Sequence, residues 1–343
     1  MRALVTGATG FVGSHIVRAL SETGHQPIAL HRATSRLDAL AGVDYVSALG
    51  DVTDLDSLRK ASEGCDWVFH VAAVADYWRA DEKRLFDVNV EGTRRVLQAA
   101  RENGVKRVVF TSSAAAIGHR ADGQPADETL PFNLPPSRFP YGYSKALAEV
   151  VAVEAVGAGQ EVVIVNPVVV MGPGDLNVIS GDFVLKIKRL SWTVPVPPGG
   201  VAVIDVRDVA RMHIAAARQG RSGERYILGA ANFSYPDWFA LVADVGGARR
   251  PGLSAPAWAL PIVAGAIDRL RSVGISLPVD GNQTRLGAKN IFFDFSKAWA
   301  ELGEPLIDMH QSLEDTYNWY LEHGYVKRDA VSRLIDAIGK RAL

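Results

Sequence analysis

The stretch RFPYGYSKALAE, residues 138–149, sets two tyrosines, a serine and a lysine within five positions. On a helix that begins near residue 141, groups four apart share a face, so Tyr141 and Lys145 are neighbours while Tyr143 points roughly 200° away from Lys145. A phenol titrates near pH 10 and is a poor proton donor or acceptor at neutral pH. A lysine ammonium about 5 Å away, at an effective dielectric of about 20, favours the phenolate by about 3 kcal/mol, or roughly 2.4 pK units. Tyr141 beside Lys145, taken as a fixed cation, is therefore a candidate acid–base pair. The nearby run VVFTSSAAAIG ends a strand in Thr111, Ser112 and Ser113. That is the carboxyl edge at which an open α/β sheet binds ligands, and a serine hydroxyl there can hold a carbonyl oxygen while Tyr141 moves the proton.

A second group of residues points to a dinucleotide. LVTGATGFVG is a strand ending in Gly7, Gly10 and Gly13 that opens a helix, with Thr9, Phe11 and Val12 completing the turn. Glycines allow the tight turn, the close approach of backbone to a pyrophosphate and the packing of helix on strand, with the helix N-terminus facing the phosphates. The second strand ends in IALHRATSR, which has no acid before Asp38 but offers Arg32 and Arg36. This favours the 2′-phosphate of NADP(H), with NAD(H) the other possibility. Asp51 and Val52, after the third strand, can reach the adenine. Val71, Ala72 and Ala73, after the fourth, are small enough for the backbone to lie against ribose and nicotinamide.

The elements that must position these groups follow a strand–helix rhythm. Strands are expected at 2–6, 27–31, 44–49, 67–72, 107–112 and 161–166, and helices at 11–23, 54–62, 83–102 and 141–157. The fold class is α/β: a Rossmann-type doubly wound parallel sheet, with a smaller mixed α/β substrate lobe. Residues 1–170 read as the dinucleotide-binding domain, with 200–222 returning to it, and 171–199 and 223–343 as the substrate lobe. In that second part helices are expected near 206–218, 236–245, 257–271, 296–302 and 311–323, and a strand at RYILG. A last helix carries Val331, Leu334, Ile335 and Ile338 on one stripe, read as packing on its own lobe.

The chain has 343 residues, 48% of them apolar, and 37 basic against 38 acidic side chains. A large core is expected, and nucleic acid or an anionic membrane is not an expected partner. The single cysteine, Cys65, reads as a quiet thiol in a reducing compartment, and the start MRALVTGATG has no signal-peptide pattern, so a cytoplasmic location is expected. The most apolar segment, 255–267, is too short to span a bilayer. No metal site is expected, with His70 and His119 read as structural.

Jointly, TGATGFVG, GDVTD, HVAA, DVNVEGTRRVLQAA, VVFTSSAAAIG, YGYSK, NPVVVMGPGD and VIDVRDVA resemble the extended short-chain dehydrogenases/reductases, also grouped as NAD-dependent epimerase/dehydratases. Within that family the chain is most similar to the dihydroflavonol-4-reductase-like and hopanoid-associated sugar-epimerase-like branch. The resemblance implies that Tyr141 is the acid–base residue, that Lys145 binds the nicotinamide ribose, and that Ser113, or failing it Ser112, polarises the substrate oxygen. It further implies that Thr111 lies against the cofactor, that Asn166, Pro167, Val168 and Val169 line the nicotinamide pocket, and that Asn89 supports the site from beneath. A homodimer pairing the helices of Asn89 and Tyr141 is also implied.

Sugar-nucleotide dehydratases of the family carry an Asp–Glu pair after the active-site hydroxyl residue, whereas here Ala114, Ala115 and Ala116 follow Ser113, which sets dehydration aside. An epimerase would need arginines for a nucleotide diphosphate, and Arg189, Arg221, Arg225 and Arg271 are the candidates. Tyr77, Trp78, Phe183 and Trp192 instead suggest a hydrophobic, ring-bearing or terpenoid-like ketone or aldehyde. The expected activity is NADP(H)-dependent reduction of that carbonyl. A nucleotide-sugar epimerase and a 3β-hydroxysteroid or sterol dehydrogenase are the alternatives, and a non-enzymatic cofactor sensor is argued against by the Tyr141–Lys145 pair.

Overall fold

In the computed structural model, which describes residues 1–75, 81–176, 178, 181, 184–185, 195–275 and 280–326, the strand–helix rhythm builds one large parallel sheet. Its strands are β1 (Arg2–Thr6), β2 (Gln26–His31), β3 (Val46–Leu49), β4 (Trp67–His70), β5 (Arg107–Thr111), β6 (Val162–Pro167) and β10 (Arg225–Leu228). They lie in the order β10-β6-β5-β4-β1-β2-β3. Helix α1 (Phe11–Glu22) follows β1, α2 (Leu55–Ser62) follows β3, and α5 (Pro140–Gly157) precedes β6. Apolar side chains alternate along each strand between two cores. Val5, Val109, Val163 and Val165 join the core under α1 and the helix Val206–Gln219, while Leu4, Val108, Phe110 and Ile164 join the core under α2, α5 and α4 (Gly92–Glu102). Both faces are covered, which is why these strands read as unbroken apolar runs.

Local signals set the helix ends. The Asp54 carboxylate accepts from the backbone N–H groups of Asp56 and Ser57, capping α2. Pro140 starts α5 at a position where a missing N–H costs nothing. The expected helix 83–102 is interrupted: a short helix α3 (Glu82–Phe86) leads into a π-type turn, Asp87–Glu91, before α4. Asn89 lies on that turn, a widened geometry that often marks functional sites.

After β6 the chain crosses into a three-stranded sheet made of β7 (Val169–Met171), β9 (Gly200–Asp205) and β11 (Ala231–Ser234), with a two-stranded pair β8 (Pro195–Val196) and β12 (Leu253–Ser254) beside it. β7 pairs with β9 in parallel and β11 with β9 antiparallel. A third core, including Trp238, Met309, Leu313 and Tyr320, covers this sheet. The division read from the sequence needs correction at two places. β10, assigned to the second lobe within 223–343, extends the large sheet beside β6. Residues 200–205, assigned as returning to the first lobe, form β9 of the small sheet, and the return begins only with the helix Val206–Gln219.

Candidate active site

β1 is flanked by β2 on one side and β4 on the other, so the crevice for a dinucleotide opens at its carboxyl end. Gly7 has φ +67°, and a Cβ there would lie 2.7 Å from the Ala72 backbone nitrogen. At Gly13 a Cβ would lie 2.1 Å from the Gly7 carbonyl oxygen. The turn thus admits no side chain at either position. Gly10 begins α1 without a side-chain cap and no acid occupies the first turn, so the N–H groups beside half-buried Phe11 and Val12 are left for an anion. These residues fit the pyrophosphate of a nicotinamide dinucleotide, with Thr9 half-buried among them.

A chain of buried hydrogen bonds ties this turn to the rest of the crevice. Thr93 Oγ1 donates to the Asn89 carbonyl at 2.7 Å, so His70 Nε2 must donate to Thr93 Oγ1 at 3.0 Å. His70 Nδ1 then accepts from Thr6 Oγ1 at 2.8 Å, and Thr6 Oγ1 in turn accepts from the backbone of Val71 and Ala72 at 3.2 Å each. His70 is 1% exposed, and burial, with the Lys145 charge adding to it, lowers its pKa to about 3. It remains a neutral strut that fixes the Val71–Ala72–Ala73 backbone against β1. Asn89 completes the arrangement: its amide bonds both backbone groups of Val74 and donates to Ser144 Oγ at 3.0 Å.

At the adenosine end, Arg32 is exposed and makes no ion pair among the described residues, while Arg36 is engaged with Asp38 at 2.9 Å. Of the two arginines expected there, Arg32 is the one without an ion pair among the described residues. One Asp51 oxygen is held by the N–H and hydroxyl of Thr53 at 2.9 Å each, and Val52 is buried.

The Tyr141–Lys145 pair lies inside α5, Tyr141 at 6% and Lys145 at 1% exposure. Lys145 Nζ donates to the Thr111 carbonyl at 2.8 Å and stands 4.5 Å over the Phe110 ring. The expectation of a fixed cation needs correction: burial lowers the Lys145 pKa to about 7, with Glu149 opposing the shift. Its charge is therefore balanced near neutrality. Tyr143, by contrast, packs between Phe86 and Phe132 with ring centroids 6.1 and 6.0 Å away.

The two serines after β5 differ in what they have left to give. Ser112 Oγ donates to Glu149 at 2.5 Å. Ser113 Oγ accepts from the Ala115 N–H at 3.1 Å, capping the turn Ala114–Ala116, and its own hydrogen has no acceptor among the described residues. Asn166, fully buried, donates to the Ser113 carbonyl at 3.0 Å and to Glu149 at 2.6 Å. Turning the amide would set its oxygen against two acceptors, so Oδ1 is the atom left without a protein donor. It is a buried acceptor for a ligand N–H or a water. Pro167 and Val168 follow, and Val169 starts β7. Tyr77, Trp78, Phe183 and Trp192, and the terminal stripe from Val331 to Ile338, lie outside the described residues.

Of the arginines considered for a diphosphate, Arg221 is bound by Glu301 at 2.5 Å, Arg225 by Glu149 at 3.2 Å and Arg271 by Asp280 at 2.7 Å. Arg189 lies outside the described residues. Cys65 is buried and its thiol is pushed up to about 11 by burial. His119 bonds Lys289 at 2.7 Å, and no helix among the described residues is long and apolar enough to cross a membrane. The Thr6–His70–Thr93 chain and Glu149 were not expected as parts of the site, and Arg225, considered only for a diphosphate, is bound to Glu149 instead.

A doubly wound sheet with a glycine turn at its switch point and a buried tyrosine–lysine helix defines a nicotinamide-dependent oxidoreductase. The model of the NAD dependent epimerase/dehydratase family matches residues 3–229, and the chain belongs to that family. It is 40% identical over 332 residues to the "Putative dihydroflavonol 4-reductase" of Synechocystis sp., covering 94% of this chain and 95% of that one. It is 33% identical to sterol demethylase protein B of Methylococcus capsulatus, over 95% of this chain and all of that one. The crystal structure of gox2253 superposes with a TM-score of 0.82 at 36% identity, covering 95% and 99% of the two chains.

Proposed function

We propose that the protein is an NADP(H)-dependent reductase of a ketone or aldehyde on a hydrophobic, ring-bearing or terpenoid-like small molecule. The observation that carries this reading is the burial of Lys145, anchored to Thr111 at the carboxyl end of β5, one helical turn from Tyr141. When bound, the reduced nicotinamide supplies the hydride. Ser113 donates its uncommitted hydrogen to the carbonyl oxygen and orients the substrate. Tyr141 gives its phenolic proton to that oxygen as the carbon is reduced, so that an alcohol leaves, and Lys145 in its ammonium form stabilises the phenolate. Ser112 is committed to Glu149, which favours Ser113 over it for this role.

The exposed Arg32, which makes no ion pair among the described residues, supports NADP(H) over NAD(H). The engaged arginines at 221, 225 and 271 speak against a nucleotide-sugar substrate. Val150 and Val153, more than half exposed on α5, support a homodimer built on this helix. Oxidation of a sterol 3β-alcohol by the same groups is the second reading, supported by a 34% identical relative named 3 beta-hydroxysteroid dehydrogenase type 7.

NADPH oxidation assayed against aromatic, terpenoid and steroid carbonyls, alongside UDP-sugars, tests the proposal. Tyr141→Phe is expected to lower turnover by about 10²–10⁴ while NADPH still binds, and Tyr143→Phe to change it little. Equal losses in the two variants, or conversion of UDP-sugars alone, would refute it.

A further inference from the structure

Glu149 lies one turn beyond Lys145 on α5 and is 6% exposed. Its carboxylate gathers groups from three strands of the large sheet. Oε1 accepts from Ser112 at the end of β5, at 2.5 Å, and from Asn166 near the end of β6, at 2.6 Å. Oε2 accepts from Arg225 of β10 at 3.2 Å. Arg225 also donates to the Glu128 and Leu130 carbonyls, in the segment that leads from β5 to α5. A buried carboxylate persists only when it is paired and hydrogen-bonded, and here both requirements are met by groups reaching it from across the fold.

We propose that Glu149 is a positioning residue of the reaction: it holds Lys145 in its ammonium form and, through Ser112 and Asn166, fixes the strand end that presents Ser113. This rests on the reading of Tyr141 and Lys145 as the acid–base pair. Among the described residues, few other charges surround Lys145. Its own helix contributes Tyr141 and Glu149, and β4 contributes His70, which burial keeps neutral. β10 contributes Arg225, acting through Glu149. β5 and β6 offer the uncharged Thr111, Ser112 and Asn166. The π-type turn offers Asn89, and Asp87 on that turn is bound by Arg95 at 3.1 Å. Among the described residues, Glu149 is thus the one anion opposing the desolvation of Lys145. The two partners of Glu149 carry opposite consequences. Removing the carboxylate favours the neutral amine, whereas removing Arg225 leaves the carboxylate acting on Lys145 alone.

The full-length protein is read in two ways across pH 5.5–9.5: kcat/KM for carbonyl reduction, and the Kd for NADPH by fluorescence, which needs no substrate. In the wild type both are expected to worsen as pH rises through the Lys145 titration. Glu149→Gln is expected to move that limb to lower pH by roughly one unit, Glu149→Asp to restore much of it, and Arg225→Gln to move it to higher pH. Thermal melts establish that each variant is folded, and if Glu149→Gln is not, the alkaline shift in Arg225→Gln stands as the test. A limb that stays in place in Glu149→Gln, or that moves in the same direction in both variants, would overturn the proposal. If no carbonyl is reduced by the wild type, the functional reading fails on its own, and the NADPH-binding limb still decides the role of Glu149.

Discussion

Replacing Gly13 by alanine tests the dinucleotide cradle with a single methyl group. The new Cβ would stand 2.1 Å from the Gly7 oxygen, 2.7 Å from the Gly7 carbonyl carbon and 3.1 Å from the Ala8 Cα, all backbone atoms that cannot swing aside. Relief requires the first turn of α1 to move about 1 Å away from the Gly7–Gly10 turn, and overpacking of this kind costs about 1–3 kcal/mol. The N–H groups beside Phe11 and Val12 move with the helix. Loss of one charge-assisted hydrogen bond, about 1.5–3 kcal/mol, weakens cofactor binding by about 10- to 150-fold. Fluorescence titration with NADPH and NADH measures the affinity, and thermal melts measure the stability. Gly24→Ala is the control: its φ of +74° makes a side chain strained, yet nothing lies within 4 Å, so it should lower stability by about 1–2 kcal/mol and leave the affinity alone. Wild-type affinity in a folded Gly13→Ala protein would refute the assignment of this turn to the pyrophosphate.

Two further outcomes are expected. Arg32→Glu should swing cofactor preference from NADPH toward NADH, measured as the ratio of kcat/KM values, and an unchanged ratio would remove Arg32 from the 2′-phosphate site. The protein should also lose stability in acid through its buried histidines. His70 and His213 are held to about 3 and about 4, below their unfolded value, so the unfolded chain takes up these protons first as pH falls below about 6.5. Stability then declines by up to about 1.4 kcal/mol per pH unit for each histidine. His213→Gln should flatten the melting-temperature profile between pH 6.5 and 4, and a profile as steep as wild type would place the acid sensitivity elsewhere.

What could be read from the sequence was what local spacing controls. The parallel strands announced themselves as β-branched runs between helical periods, and a four-residue interval was enough to separate Tyr141 from Tyr143. The remainder depends on partners far apart in the chain. Glu149 looks like an ordinary helical glutamate until Arg225, 76 residues on, reaches it. His70 read only as structural, because its bonds to Thr6 and Thr93 span 64 and 23 residues and exist only once β1, β4 and α4 are stacked. β7 and β9 hid in a region dense in glycine and proline, and RYILG reads as a strand but was misplaced, since nothing in Tyr226, Ile227 and Leu228 tells which sheet edge it will join. The neutralising effect of burial on Lys145 could not be weighed before its burial was known.

The crossing of the chain between its two sheets has a practical consequence. Because the backbone leaves the large sheet after β6, builds most of the small one, and comes back at β10 before departing again, no single cut separates a cofactor module from a substrate module. A fragment ending near residue 170 would expose the naked edge of β6, strip the α1 face of its covering helix Val206–Gln219, and leave Glu149 without its guanidinium. The two halves are interlaced rather than tethered, so domain exchange with a relative would have to swap at least two segments at once.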